Sequence, residues 1–278
     1  MHNFEFIHHH LPIILALAAT GIVAGLLAGL LGVGGGIVIV PVLFFLLQAN
    51  GVSADSAMLI ATATSLATMI PTSISSIRAH WQKGNVDWLL LKGWSAFIVS
   101  GVLLGSWLVT RLDGRWLTLL FAMIATLAAL NMLFRSGKPA LFPQLPGKAA
   151  QGTMAGSIGF CSSMVGIGGG TLSVPLLTLY NYPAHRAVGT AAAIGLLIAL
   201  PGATTMLLLG QTPADAPIGT LGLVNLLGFC CIVPLTVLCA PIGAALGARL
   251  DGALLKKIFA LVLLLTAARM LVQLFTGE

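Results

Sequence analysis

Two clusters of glycines interrupt apolar stretches of the sequence, and they carry its clearest chemical signal. Residues 32–36 read Gly-Val-Gly-Gly-Gly, and residues 166–170 read Gly-Ile-Gly-Gly-Gly. Three adjacent glycines break a helix and leave backbone N–H and C=O groups without helical partners. In hydrocarbon each unpaired group costs several kcal/mol, so such a break persists only against protein or a wet cavity. The short helix that follows each break would direct free N–H groups at an anion.

These clusters therefore predict an anion site between two broken helices. The glycines expected to line it are Gly34, Gly35, Gly36, Gly168, Gly169 and Gly170. Glycines also allow helices to pack closely, and that alternative suits the four-residue spacing of Gly21, Gly25 and Gly29. Close packing does not require three consecutive glycines, so the two clusters favour binding.

Hydroxyl groups close to the clusters are the next candidates for the site. Thr171 lies directly after the second cluster, while Thr64, Ser65 and Thr190 follow the clusters at similar distances in each half. The alternative for each is a hydrogen bond to its own helix backbone. The acidic residues all fall in loops or at termini: Glu5, Asp55, Asp87, Asp113, Asp215, Asp251 and Glu278. Cation carriers usually keep an intramembrane carboxylate, so its absence favours an anionic or neutral substrate.

Four basic or imidazole side chains stand at the edges of apolar runs, on the side predicted to be cytoplasmic. They are Arg78, His80, His185 and Arg186. We expect them to form a gate that attracts anions. The alternative is that they anchor helix ends at the membrane interface.

The composition indicates which solvent surrounds these residues. Of 278 residues, 58% are hydrophobic and 7% charged, against about 25% charged in soluble domains. The chain must therefore be embedded in lipid. Its net charge of +6 does not indicate nucleic-acid binding, because the basic residues stand in short gaps between apolar runs.

The chain repeats itself, which defines the predicted architecture. The second glycine cluster follows the first at an offset of 134, and the stretch 105–114 returns at 243–252 at an offset of 138. We predict an all-α polytopic membrane protein with two inverted repeats, each with a Gly-broken helical hairpin and three transmembrane helices. Residues 1–135 form the first repeat, 136–149 a linker and 150–278 the second repeat.

The distribution of positive charge predicts the topology. If the chain turns back at each glycine cluster, ten Lys and Arg residues collect on one side and three on the other. A continuous crossing instead gives six on each side, so the positive-inside rule favours the turn. A re-entrant hairpin and two full crossings remain equivalent by this count. Both termini are then expected outside the cytoplasm of a bacterial inner membrane.

The clusters and two further stretches resemble the sulfite exporter TauE/SafE family. The stretches are residues 61–66, Ala-Thr-Ala-Thr-Ser-Leu, and residues 78–88, Arg-Ala-His-Trp-Gln-Lys-Gly-Asn-Val-Asp-Trp. The resemblance covers nearly the whole chain. It implies transport of sulfur-containing anions such as sulfite, thiosulfate or organosulfonates.

Other classes of protein fit the residues less well. A channel for anions, or a carrier for a different small anion, remains open. An enzyme is not expected, because the six histidines lie in loops or at boundaries and no ligand or nucleophile cluster accompanies them. No cofactor or metal is expected. The expected partners are a small anion, the lipid bilayer and, as one option, a second copy in a homodimer, but not nucleic acid.

Overall fold

The computed structural model describes residues 2–135, 139–247 and 253–276. In these residues the chain forms ten helices and one small hairpin, and seven of the helices are long and apolar enough to cross a membrane. The helices of the first repeat are α1 (His2–Leu31), α2 (Gly36–Ala49), α3 (Ala54–Trp81), α4 (Trp88–Val109) and α5 (Gly114–Phe134). Those of the second are α6 (Lys148–Val165), α7 (Gly169–Leu179), α8 (Ala184–Leu209), α9 (Leu226–Leu246) and α10 (Ala253–Thr276). The prediction of an all-α polytopic membrane protein is confirmed.

Both glycine clusters break helices where the sequence predicts. In the first cluster Gly32, Gly34 and Gly35 have φ angles of +67°, +77° and +79°, values that favour glycine. The chain also turns back there. The α2–α3 connection lies beside the segment between α8 and α9, where the Ser53 N–H donates a hydrogen bond to Asp215 Oδ2 at 2.8 Å. The short helix α2 therefore returns towards the face of the protein from which α1 starts.

A short β-hairpin, which the sequence pattern does not predict, precedes α9. Strands β1 (Thr220–Leu221) and β2 (Val224–Asn225) pair antiparallel, and α9 begins only after them. The cause is local, since Gly219 and Gly222 have positive φ angles of +85° and +54°. We call the side of the protein that carries this hairpin the hairpin face. Helix α1 begins and α10 ends towards this face.

Helices of one repeat pack along helices of the other. A side chain at Gly21 would strike the carbonyl of Ile232, and one at Gly29 would strike that of Ala240, so α1 and α9 run parallel. The same holds for α4 and α6, where Gly101 lies against Gly156. These close approaches confirm that the spaced glycines pack helices together.

Helices α3 and α8 form the centre of the bundle. Leu66 contacts Gly202 and Ser73 contacts Gly195, so the two helices run antiparallel. This is the direction expected of corresponding helices in inverted repeats, and the orientation of the repeats in a membrane stays a prediction. Residues 248–252, the end of the second copy of stretch 105–114, lie outside the described residues, as do residues 136–138 of the linker.

Candidate functional site

The two glycine breaks meet in the middle of the protein and contact each other through their backbones. A side chain at Gly168 would collide with the carbonyl of Val33, and one at Gly170 with the carbonyl of Gly32. On the other side of the junction, a side chain at Gly36 would collide with the carbonyl of Gly166. Three of the predicted glycines are therefore required for the two repeats to fit together. The contact also brings the N-terminus of α7 to the interior of the bundle.

A cavity of about 570 Å³ leads from the face opposite the hairpin to this junction. We call that side the cavity face. The wall is formed by the ends of α1, α3, α5 and α9, the start of α8 and the length of α7. At the inner end stand Val33, Gly170 and Thr171. The cavity therefore reaches the second glycine break but not the first turn of α2.

The inner end of the cavity has the donors that an anion requires. Helix α7 begins at Gly169 without a side-chain cap, and in the described residues the N–H groups of Gly169 and Gly170 meet no acceptor. The Thr171 hydroxyl is almost completely buried and has no hydrogen-bond partner in that part of the chain. Buried polar groups are normally paired, so an unpaired donor beside a cavity marks a place for a ligand. The helix N-terminus favours a negative one.

The walls of the cavity are basic. Lys83 and Arg135 stand there with His80 and His185, and no carboxylate lines the wall among the described residues. Lys83 Nζ donates to the Ala244 carbonyl at 2.8 Å, which ties the amine to the end of α9. A cavity with one sign of charge and apolar walls concentrates ions of the opposite sign. This wall therefore draws anions towards α7.

The predicted gate divides into two pairs. His80 and His185 line the cavity, and His80 Nε2 lies 2.9 Å from the Gly29 carbonyl. Arg78 instead faces a separate groove between α3 and α9. Arg186 is half exposed and pairs with Asp87 Oδ2 at 3.0 Å. From the sequence, Lys83 and Arg135 enter only the charge count that predicts the topology. Both follow the ends of long helices, α3 and α5, on the predicted cytoplasmic side. That position is the signal that could have identified them as cavity residues.

Three of the predicted hydroxyls lie outside the cavity wall and hold the repeats together. Thr64, Ser65 and Thr190 are fully buried. Ser65 Oγ donates to the Gly166 carbonyl at 2.7 Å, and Thr64 Oγ1 accepts from the Asn225 N–H at 2.8 Å. The Asn225 side chain accepts from the Gly228 N–H, so this residue caps the start of α9.

Asp87 ties the mouth of the cavity together. Its carboxylate accepts hydrogen bonds from the Leu89 and Leu90 N–H groups, from Arg186 and from the Tyr182 hydroxyl, which joins the α3–α4 and α7–α8 connections. Burial alone would raise the pKa of Asp87, but the Tyr182 hydroxyl, the backbone donors and Arg186 together hold it below its usual value. The carboxylate is therefore ionised and occupied, and it does not compete with an anion for the cavity.

Comparisons with known proteins find a family of membrane transporters. The family model described as "Sulfite exporter TauE/SafE" matches residues 17–270. A probable membrane transporter protein of Haemophilus influenzae is 32% identical over 94% of this chain and 98% of its own length. A probable membrane transporter protein of Bacillus subtilis is 26% identical over 92% of this chain and 97% of its own length. One of Methanocaldococcus jannaschii is 29% identical over 72% of this chain and 73% of its own. No solved structure matches the chain significantly.

Proposed function

Since the chain belongs to the sulfite exporter TauE/SafE family, we propose that it is a secondary transporter for a small sulfur-containing anion such as sulfite, thiosulfate or an organosulfonate. The observation that carries the proposal is the inner end of the cavity. There the uncapped N-terminus of α7 and the unpaired Thr171 hydroxyl stand behind a wall lined by Lys83 and Arg135. An oxyanion matches both the donors and the charge.

The substrate would bind at the first turn of α7. Gly169 and Gly170 would donate backbone N–H groups, and Thr171 would donate its hydroxyl. A helix N-terminus favours an anion by about 0.3–1 kcal/mol when exposed and up to about 2 kcal/mol when partly buried, and direct hydrogen bonds add to this. These donors form hydrogen bonds to oxygen atoms, so related oxyanions should compete for one site.

The closed junction favours a carrier over a channel. The backbones of the two breaks touch at Gly168 and Val33, so the described cavity ends there and does not continue to the hairpin face. A carrier alternates between two such states, whereas a conducting pore needs a continuous path.

The ten-to-three bias of Lys and Arg supports a cytoplasmic location for the cavity face. On this proposal the conformation is inward-facing, both chain ends lie outside the cytoplasm, and the membrane is the bacterial inner membrane. Reporter fusions at the two ends test the orientation.

Uptake into proteoliposomes tests the function, with sulfite, thiosulfate and sulfoacetate as probes and an uncharged control. We expect saturable uptake of one or more of the anions, inhibited by the others.

Thr171→Val should raise KM about tenfold or more, since a hydrogen bond to a charged group contributes about 1.5–3 kcal/mol, while Thr171→Ser should retain uptake. Thr205→Val is the matched control, because the Thr205 hydroxyl bonds the Pro201 carbonyl of its own helix at 2.8 Å. Uptake of none of the anions would overturn the proposal.

A further inference from the structure

The two glycine breaks are flanked by corresponding positions of α3 and α8, and the correspondence can be read from hydrogen bonds. The Asp87 N–H, which precedes α4, bonds Thr190 in α8, and the Asn225 N–H, which precedes α9, bonds Thr64 in α3. Asp87 and Asn225 are themselves 138 residues apart, the offset of the late repeat. Thr64 therefore corresponds to Thr190, an offset of 126 along these helices.

At this offset, the residues beside the two breaks differ in kind. Met69 of α3 corresponds to Gly195 of α8, and Ser73 of α3 corresponds to Ala199 of α8. The Met69 side chain is fully buried, and its methyl group lies 3.1 Å from the position that a Cβ of Gly34 would take. Next to the first break, the space is filled by apolar atoms.

Beside the second break the corresponding position is a glycine, and the atoms nearest to it are polar. A Cβ built on Gly195 would have two atoms within 4 Å outside its own helix, Ser73 Oγ at 3.1 Å and the Gly169 nitrogen at 4.0 Å. Ser73 is 2% exposed, and its hydroxyl has no hydrogen-bond partner in the described residues. The Gly169 N–H belongs to the first turn of α7 and lacks a helical acceptor. Two buried donors therefore face one small space.

We propose that this space, the Gly195 pocket, binds one oxygen atom of the transported oxyanion. The pocket consists of Ser73 Oγ, the Gly169 N–H and the side of Gly195 on which other residues carry a Cβ. Gly169 is next to Gly170 and Thr171, which face the cavity, so one anion on the first turn of α7 can place one oxygen in the pocket and another on the Thr171 hydroxyl. This inference rests on the proposed function and adds a specificity residue, Ser73, to it.

The difference between the two breaks also predicts how many anions each chain binds. Because Met69 and Ala199 replace Gly195 and Ser73 at the first break, that position offers neither a hydroxyl nor room for an oxygen. One anion binds per chain, at the second break.

The depth of the pocket agrees with a binding site of a carrier. Ser73 lies seven residues before His80 on α3, about 10 Å further from the cavity face at about 1.5 Å per residue. Ser73 and Gly195 contact each other where α3 and α8 cross. A ligand here is held between the repeats, as alternating access requires.

Calorimetric titration of the purified full chain with sulfite tests the pocket. We expect one anion per chain for the wild-type protein. Ser73→Ala should raise Kd at least about tenfold, since a donor to a charged oxygen is lost. Gly195→Ala should raise it further, because the new methyl group occupies the place of the oxygen.

Ser76→Ala is the matched control, since Ser76 is buried on the same helix and bonds the Ala28 carbonyl. Its Kd should equal that of the wild type. In the double variant Ser73→Ala/Gly195→Ala, the loss of the Ser73 hydroxyl makes room for the new methyl group at residue 195. This variant keeps the test valid if Gly195→Ala fails to fold. It too should bind sulfite at least about tenfold more weakly.

The outcomes separate the pocket from the proposed function. If the wild-type protein binds sulfite and Ser73→Ala binds it equally well, the pocket is wrong while anion transport stands. If Gly195→Ala weakens binding and Ser73→Ala does not, the pocket is also wrong, because the loss of space by itself would explain that result. If the wild-type protein binds none of sulfite, thiosulfate and sulfoacetate, the proposed function fails as well. Two sulfites per chain would contradict the assignment to one break.

Discussion

The backbone N–H of Asp87, the residue that caps the start of α4, donates a hydrogen bond to the hydroxyl of Thr190 in α8 at 2.9 Å. Its counterpart runs in the other direction, from the Asn225 N–H to the Thr64 hydroxyl at 2.8 Å. In each case a helix of one repeat starts on a buried threonine of the other. These two bonds place the threonines in the framework that fixes the repeats against each other.

Thr190→Val and Thr64→Val should therefore destabilise the protein without weakening substrate binding. Each leaves a backbone donor unpaired, which costs about 1–3 kcal/mol where the group is buried. Thermal unfolding of the purified protein measures the loss, and uptake kinetics measure KM. Thr204→Val, which removes a hydroxyl bonded within its own helix, is the control. A raised KM with an unchanged Tm would return Thr64 and Thr190 to the substrate site.

The basic wall of the cavity should set the rate at which anions arrive. Lys83→Gln combined with Arg135→Gln should raise KM for sulfite severalfold, with the larger effect at low ionic strength, because the attraction of exposed charges is screened by salt. Arg78→Gln provides the matched control, since it removes one positive charge from the same face but outside the cavity. If Arg78→Gln has about half the effect of the double variant, in proportion to the charge removed, only net charge matters.

The contact between the glycine breaks should tolerate no side chain. Gly168→Ala and Gly170→Ala place a methyl group against the carbonyls of Val33 and Gly32, and a clash with backbone costs at least about 1–3 kcal/mol. We expect lower yield and a lower Tm for both. Gly93→Ala should be neutral or stabilising, because open space surrounds Gly93 in its helix. A normal Tm for Gly168→Ala would show that the breaks do not touch.

Asp215 on the hairpin face should give the protein an acid-sensitive contact. Hydrogen bonds from the Ser56 side chain and the Ser53 N–H lower the pKa of Asp215 to about 2, below its usual value. A carboxyl with a lowered pKa stabilises the fold above its ordinary pKa of about 4 and loses that contribution as the pH falls towards about 2. The difference in Tm between the wild type and Asp215→Asn should thus be constant from about pH 8 to about pH 5 and vanish near about pH 2. A difference that grows as the pH falls would contradict this.

Much of the fold follows from the sequence, because lipid restricts a spanning chain to helices and the glycine clusters break those helices at fixed points. The hairpin before α9 does not follow. Its strands are two residues long, and their apolar residues Leu221 and Val224 continue the pattern of the helix behind them. The short helices α2 and α7 do follow, because their apolar runs are too short for a full crossing.

The site is harder to predict because its residues meet only through tertiary contacts. Thr171 stands out beside the second cluster, but Thr64 and Thr190 look equally suitable until their partners are known. Lys83 and Arg135 are 52 positions apart and share a cavity wall only because α3 and α5 end on the same face. The Gly195 pocket is recognised by comparing Gly195 with Met69, its counterpart in α3. The sequence alone does not fix this pairing, because the offset between the repeats changes along the chain.

The parallel contact between α1 and α9 has a consequence for biosynthesis. Gly21 packs on Ile232, which the ribosome adds 211 residues later. At about 5–20 residues per second, the first helix waits roughly 10–40 s in the membrane before its partner is made. During that time the glycine-lined stripe of α1 is available to any other helix that presents small residues. A membrane chaperone, or early binding to α3, would have to occupy the stripe until translation of the second repeat is nearly complete.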